Sequence, residues 1–164
     1  MRFEIEQRFT GALEVVEAAF TDPDFLTRLA ALPKLGQPEL LDRSEDGKLV
    51  LMSVRYHFVG DISSAVRAVV DPSRLVWIEE STLDRTTHMT TWTIVPEHYG
   101  GLLRSSGTYE LRDLGDGSVL RRATGELKVS VPLVGGRVER AIVSGLEEHA
   151  ALEEDVMSEF LAST

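Results

Sequence analysis

Residues 137–164 read RVERAIVSGLEEHAALEEDVMSEFLAST. Placed at about 100° per residue, Val138, Ile142, Gly145, His149, Leu152, Val156 and Phe160 fall on one stripe. Arg140, Glu147, Glu148, Glu154 and Asp155 take the opposite side, so the segment is expected to form a long helix laying a narrow face on something large and apolar. Most of the sequence before it is strand-like, which makes that partner a sheet. A lone helix across a curved sheet either seals a core or roofs a cavity, and this alternative decides whether the protein takes a ligand.

Working back from the helix, Pro132 and Gly135-Gly136 are expected to break the chain. Before them a hairpin is expected over 103–111 and 119–131, turning at Gly115-Asp116-Gly117. Two more strands are expected over 75–82 and 88–95, joined through Asp84-Arg85, and another pair over 40–43 and 49–58 around Glu45-Asp46-Gly47. Residues 2–9 alternate apolar with polar side chains, as a half-buried strand does. Thr10 is the expected cap of a helix carrying Leu13, Val16, Ala19 and Phe20. Asp22-Pro23 starts a second helix with Asp at N-cap and Pro at N1. A short helix is also expected after Gly60, with Asp61 as its cap and Ile62, Val66, Val69 and Val70 at helical spacing.

Turn length sets which residues face each other. A turn at Gly115 to Gly117 pairs Leu111 with Arg121, Tyr109 with Ala123, Gly107 with Gly125 and Ser105 with Leu127, which separates a small or apolar face from a polar one. Two glycines then sit side by side within adjacent strands, which points to a sharp bend or to space above the sheet. An even-length connection through Asp84-Arg85 puts Trp77 and Glu79 on one face with His88, Thr90, Trp92 and Ile94.

Length allows one domain over residues 1–164 with a substantial core. Cysteine is absent, which excludes disulfides, thiolate metal sites and Cys nucleophiles. A formal net charge of -10 argues against nucleic acid and anionic membrane surfaces as partners. No apolar run approaches a membrane span of roughly 18 residues, so integral membrane association is not expected, and the chain opens on strand-like sequence without a signal-peptide core. The expected location is cytoplasmic. Oligomeric state is not legible.

The order strand, two helices, six strands and long helix resembles the START-like (SRPBCC) superfamily, which includes polyketide cyclases and lipid-transfer domains. Within it the segments VVEAAFTDPDFLTRLA (15–30), DPSRLVWIEESTLD (71–84) and VSVPLVGGRVERAIVSGLEE (129–148) are similar to an uncharacterised branch of unknown function. The resemblance implies an α+β helix-grip fold: a curved antiparallel sheet of about seven strands wrapped around a long C-terminal helix, with two short helices between strands 1 and 2. It also implies a cavity for a hydrophobic small molecule or lipid between sheet and helix. Members range from carriers to cyclases, so the fold carries no activity with it.

His149 is the polar group that the helix phase aims at the sheet, either as a ligand contact or as a structural histidine paired with a strand group; Glu153, one turn on, could be that partner. Tyr56, Trp77, Trp92 and Tyr109 are the candidate aromatic wall of a pocket, though rings in small domains are as often core. Glu79 and Arg121 are expected as a solvated pair at the cavity mouth. His57, His88, His98 and His149 lack HExxH or paired helical spacing, so no metal is expected. No cofactor is expected either, since no phosphate loop or nucleophile elbow is present. The leading reading is a carrier, sensor or sequestering protein. The alternatives are a cyclase or dehydratase-like enzyme using His149 with Tyr109 or Glu79, and a domain with a filled interior acting through a protein partner.

Overall fold

Period-two alternation dominates the chain and builds one seven-stranded antiparallel sheet in a computed structural model that describes residues 1–164, the side chain of Ala65 excepted. The strands are β1 (Arg2–Thr10), β2 (Glu39–Asp46), β3 (Leu49–His57), β4 (Val76–Asp84), β5 (Met89–Pro96), β6 (Leu103–Asp113) and β7 (Ser118–Val129). Their order is β1-β7-β6-β5-β4-β3-β2, so the first and second strands in sequence are the two edges. Helices α1 (Leu13–Phe20) and α2 (Pro23–Arg28) make that crossing at one end of the sheet. The single turn α3 (Ser64–Arg67) lies in the β3–β4 connection, and α4 (Gly135–Ala162) spans the concave face. At about 1.5 Å per residue its 28 residues are roughly 42 Å long. This is the helix-grip fold expected from the sequence.

The expected registers hold. Leu111 pairs with Arg121, Tyr109 with Ala123 and Gly107 with Gly125, while Glu79 pairs with Ile94 and Ser81 with Trp92. Phe3, Ile5, Gln7, Phe9, Val50, Met52, Val54, Tyr56, Trp77, Glu79, Trp92, Tyr109 and Arg121 therefore share the concave face. The facing glycines make room for rings. A Cβ on Gly107 would stand 2.0 Å from the Thr124 carbonyl oxygen and 2.7 Å from the Trp92 ring, and one on Gly125 would meet Phe3 at 2.6 Å and Trp92 at 2.9 Å.

Several local expectations are corrected. Thr10 does not cap α1: it is the last residue of β1, paired with Ser118, and Ala12 takes the cap position without a side-chain hydrogen bond. α3 is capped by Ser63, whose hydroxyl accepts from the Val66 amide, rather than by Asp61. Asp22 does cap α2, accepting from the Asp24 amide at 2.8 Å. Gly135-Gly136 begin α4 instead of breaking the chain before it. A Cβ at Gly135 would lie 2.4 Å from the Val129 carbonyl oxygen, so glycine lets the helix start directly against the end of β7.

The largest correction concerns the face of α4. Glu139, Val143, Ala150, Glu153, Met157 and Phe160 are buried, whereas Leu152 is exposed and Val138, Ile142, Gly145, His149 and Val156 are only half-buried. Apart from Phe160, which is buried as expected, the buried stripe is the expected one displaced by a single residue, about 100° around the axis. Two carboxylates accompany the difference: Glu139 accepts the Val129 amide at 2.9 Å and Glu153 enters the interior to bind Arg121.

Packing is uneven along this helix. α4 rests on β1 and β7 and, at its C-terminal end, on α1 and α2. There Phe9, Val16, Phe25, Val119 and Met157 form a dry core with Phe160, and the rings of Phe9, Phe20, Phe25 and Phe160 meet in sequence at 5.3, 5.7 and 5.4 Å.

Candidate functional site

The other stretch of the concave face has a different character. Because α4 leans on β1 and β7, its half-buried flank with Ile142, Gly145 and His149 is not pressed onto β3–β6. Tyr56 (β3), Trp77 and Glu79 (β4), Ile94 (β5) and Tyr109 (β6) all point to this side and stay half-buried. These inward-facing side chains keep accessible surface although the helix lies over the same sheet.

The rings there are paired. Tyr56 stacks on Trp77 with centroids 5.9 Å apart and planes at 21°, and Trp92 stacks on Tyr109 at 5.7 Å and 24°. Trp92 is buried over the two glycines and touches Phe3, with centroids 6.3 Å apart.

A polar network separates this region from the dry core. Arg121 donates through Nη1 to Glu153 Oε2 and Gln7 Oε1, both at 3.0 Å. Gln7 donates through Nε2 to Glu153 Oε2 at 2.9 Å and to the Ala150 carbonyl at 2.8 Å. The guanidinium also lies 4.0 Å from the Tyr109 ring centroid and 4.2 Å from that of Phe20. An interior ion pair is tolerated when its remaining hydrogen-bonding positions are filled, and Gln7 fills them from both sides.

Glu79 stands apart from that network. Its only hydrogen-bond partner among the described residues is the Tyr109 hydroxyl, which donates to Oε2 at 3.4 Å. Burial pushes the Glu79 carboxyl up to about 7, against the opposing pull of Arg121 and of Tyr109. Burial likewise raises the hydroxyls of Tyr56 and Tyr109 well above the ordinary tyrosine value, with the Glu79 charge acting in the same direction. The expected Glu79–Arg121 pair at the mouth does not form, because Glu153 engages Arg121.

His149 lies on the flank of α4 rather than at the centre of its buried face. Burial lowers its imidazole below the ordinary value, and Glu153 is not its partner. Two buried nitrogens have no hydrogen-bond partner among the described residues: His149 Nδ1 and Trp92 Nε1. The five expected site residues thus divide into two ring stacks on the sheet and one imidazole on the helix. Gln7 and Glu153 complete the neighbourhood: Glu153, expected as a partner for His149, binds Arg121 and Gln7 instead, and Gln7 was not anticipated. Gln7 was findable, since it occupies the inward parity between Ile5 and Phe9.

An open groove of about 440 Å³ lies elsewhere, on the outer face of β2–β5, among Ser44, Ser53, Glu80, Thr82, Thr91 and Thr93. Beneath the middle of α4, space that the sequence reading assigned to a cavity is taken by Arg121, Glu153 and Gln7.

The model of a family described as "Protein of unknown function (DUF2505)" matches residues 4–161. No curated protein matches the sequence. Among solved structures, a protein from Thermus thermophilus superposes with a TM-score of 0.71 at 15% identity, covering 99% of this chain and 98% of that one. The Zhui aromatase/cyclase from Streptomyces gives 0.66 at 13% identity, covering 99% and 93%. A START superfamily protein from Mycobacterium smegmatis gives 0.57 at 14% identity, covering 97% and 98%. At these identities the likeness is one of fold, and the fold is START-like.

Proposed function

This chain belongs to the DUF2505 family, and we propose that it binds a hydrophobic or amphipathic small molecule in the cleft between α4 and the concave faces of β3–β6, as a carrier, sensor or sequestering protein. Residues 1–164 form one binding domain in this reading. The observation that carries it is the pair of buried, unpartnered nitrogens, Trp92 Nε1 and His149 Nδ1. Each unpaired polar atom costs about 1 to 3 kcal/mol, a penalty that a ligand acceptor or donor relieves. Aromatic walls with a few directed polar groups are the ordinary make-up of a small-molecule site. Tyr56, Trp77, Trp92 and Tyr109 supply the walls and His149 a polar contact from the helix.

The test is displacement of a fluorescent fatty acid from the wild type, His149→Leu and His149→Gln, with melting temperatures measured alongside. Binding by the wild type and a modest affinity change in both variants, at unchanged folded fraction, is the expected result. No displaceable binding in the wild type overturns the proposal in favour of an interior filled by its own side chains.

A second reading is favoured by Glu79. A carboxyl held near neutrality beside a tyrosine hydroxyl can give or take a proton at physiological pH, as a cyclase or dehydratase-like reaction requires. In that case Glu79→Gln keeps ligand binding and loses turnover by roughly 10²- to 10⁴-fold.

A further inference from the structure

We propose that the ligand of this cleft is an amphipathic organic cation, whose protonated amine or quaternary ammonium group is held by the Glu79 carboxylate among the rings of Tyr56, Trp77, Trp92 and Tyr109. The inference rests on the binding site proposed above and names the class of its ligand. Four successive strands contribute those rings to one face as two stacked pairs. Glu79 shares that face, two residues beyond Trp77 on β4 and within reach of the Tyr109 hydroxyl. Aromatic faces carry negative partial charge and attract a cation within about 6 Å of the ring centre.

The charge balance points the same way. Arg121 is paired with Glu153, and Gln7 fills their remaining hydrogen-bonding positions, so Arg121 reaches Glu79 only through its longer-range pull. Glu79 is left with no cationic partner among the described residues. The charged and titratable groups that act on it are Tyr56 from β3, Tyr109 from β6, Arg121 from β7 and Glu153 from α4. On α4, burial lowers the His149 imidazole below its ordinary value, against the pull of Glu153. A lone buried carboxylate is costly, and with a pKa of about 7 the group is close to surrendering its proton when a cation arrives. The acidic surface, at a net charge of -10, draws cations toward the molecule.

The experiment titrates the full chain with octyltrimethylammonium, octanol and octanoate, followed by the fluorescence of Trp77 and Trp92, the two tryptophans of the sequence. The expected result is that the ammonium binds about tenfold or more tighter than octanol, and octanoate weakest. In Glu79→Gln the ammonium should fall to the octanol level while octanol binding persists, which also shows the variant to be folded. In the wild type, ammonium affinity should rise about tenfold from pH 6 to pH 8 as Glu79 ionises, with octanol flat. This pH arm needs no variant. Equal binding of ammonium and octanol by the wild type, or undiminished ammonium binding by Glu79→Gln, overturns the cation assignment and leaves the binding site standing. No fluorescence response to any of the three probes removes both.

Discussion

The two ends of the interior share one sheet and one helix, yet they are built on opposite principles. Toward the C-terminus of α4, Phe9, Val16, Phe25, Val119 and Met157 are almost fully buried and surrounded by apolar neighbours. Beside it on β3–β6 lie Tyr56, Trp77, Glu79 and Tyr109, inward-facing yet half-buried, and the ring nitrogens of Trp92 and of His149 on α4 go unpaired. The Arg121–Glu153–Gln7 network runs between them. Burial of apolar area stabilises the first end, whereas a lone carboxyl and unpaired polar atoms destabilise the second. A domain can carry such a site because the dry end holds the helix in place regardless of what occupies the cleft.

Removing the dry end has the largest expected consequence. A chain truncated before Arg137 loses Met157 and Phe160 together with Val143 and the partners of Gln7 and Arg121. Each large apolar side chain contributes about 1.5 to 3 kcal/mol on burial, and several equal a typical domain stability of roughly 5 to 15 kcal/mol. Thermal melting of the truncated chain should show no cooperative transition. A cooperative melt would mean that the helix is an accessory lid and that the dry end does not hold the fold together.

A smaller effect is expected where the sheet seats its rings. Gly107→Val places a Cβ into the Thr124 carbonyl and the Trp92 indole, and should cost about 1 to 3 kcal/mol or more by urea titration. Trp92 emission should shift as its ring is displaced. Unchanged stability would show that this part of the sheet yields easily, unlike the dry core.

The smallest effect separates site from scaffold by pH. The folded state raises the Glu79 carboxyl from 4.5 to about 7, so folded chains keep a proton that unfolded chains have released. Stability from this group is therefore full below about pH 4.5 and is lost as pH rises to about 7. Glu79→Gln stays neutral throughout. Relative to wild type it should be more stable above pH 7, by on the order of 1 to 3 kcal/mol, and equal to it near pH 4.5. Denaturant titrations of both proteins at pH 5 and pH 8 check this. A constant difference between the two would show Glu79 to be open to water.

Sequence alone determined the strands and the hairpin registers, because turn length and period-two patterning are local and fix side-chain parity; the order of those elements, and the resemblance it carries, supplied the helix-grip arrangement. The facing of Gly107 and Gly125 and the inward parity of Tyr56, Trp77, Trp92 and Tyr109 follow from that parity. Only the tertiary structure decided how α4 is rotated about its axis. Apolar periodicity put Val138, His149 and Leu152 at the centre of its buried face. The native helix turns by one residue so that Glu139 can accept the free amide at the end of β7 and Glu153 can reach Arg121. Those partners lie 10 and 32 residues away in the chain, and an attraction between groups so separated leaves no mark on local hydrophobic spacing. In the same arrangement Arg121 is paired with Glu153, and Glu79 is left, among the described residues, with the Tyr109 hydroxyl alone.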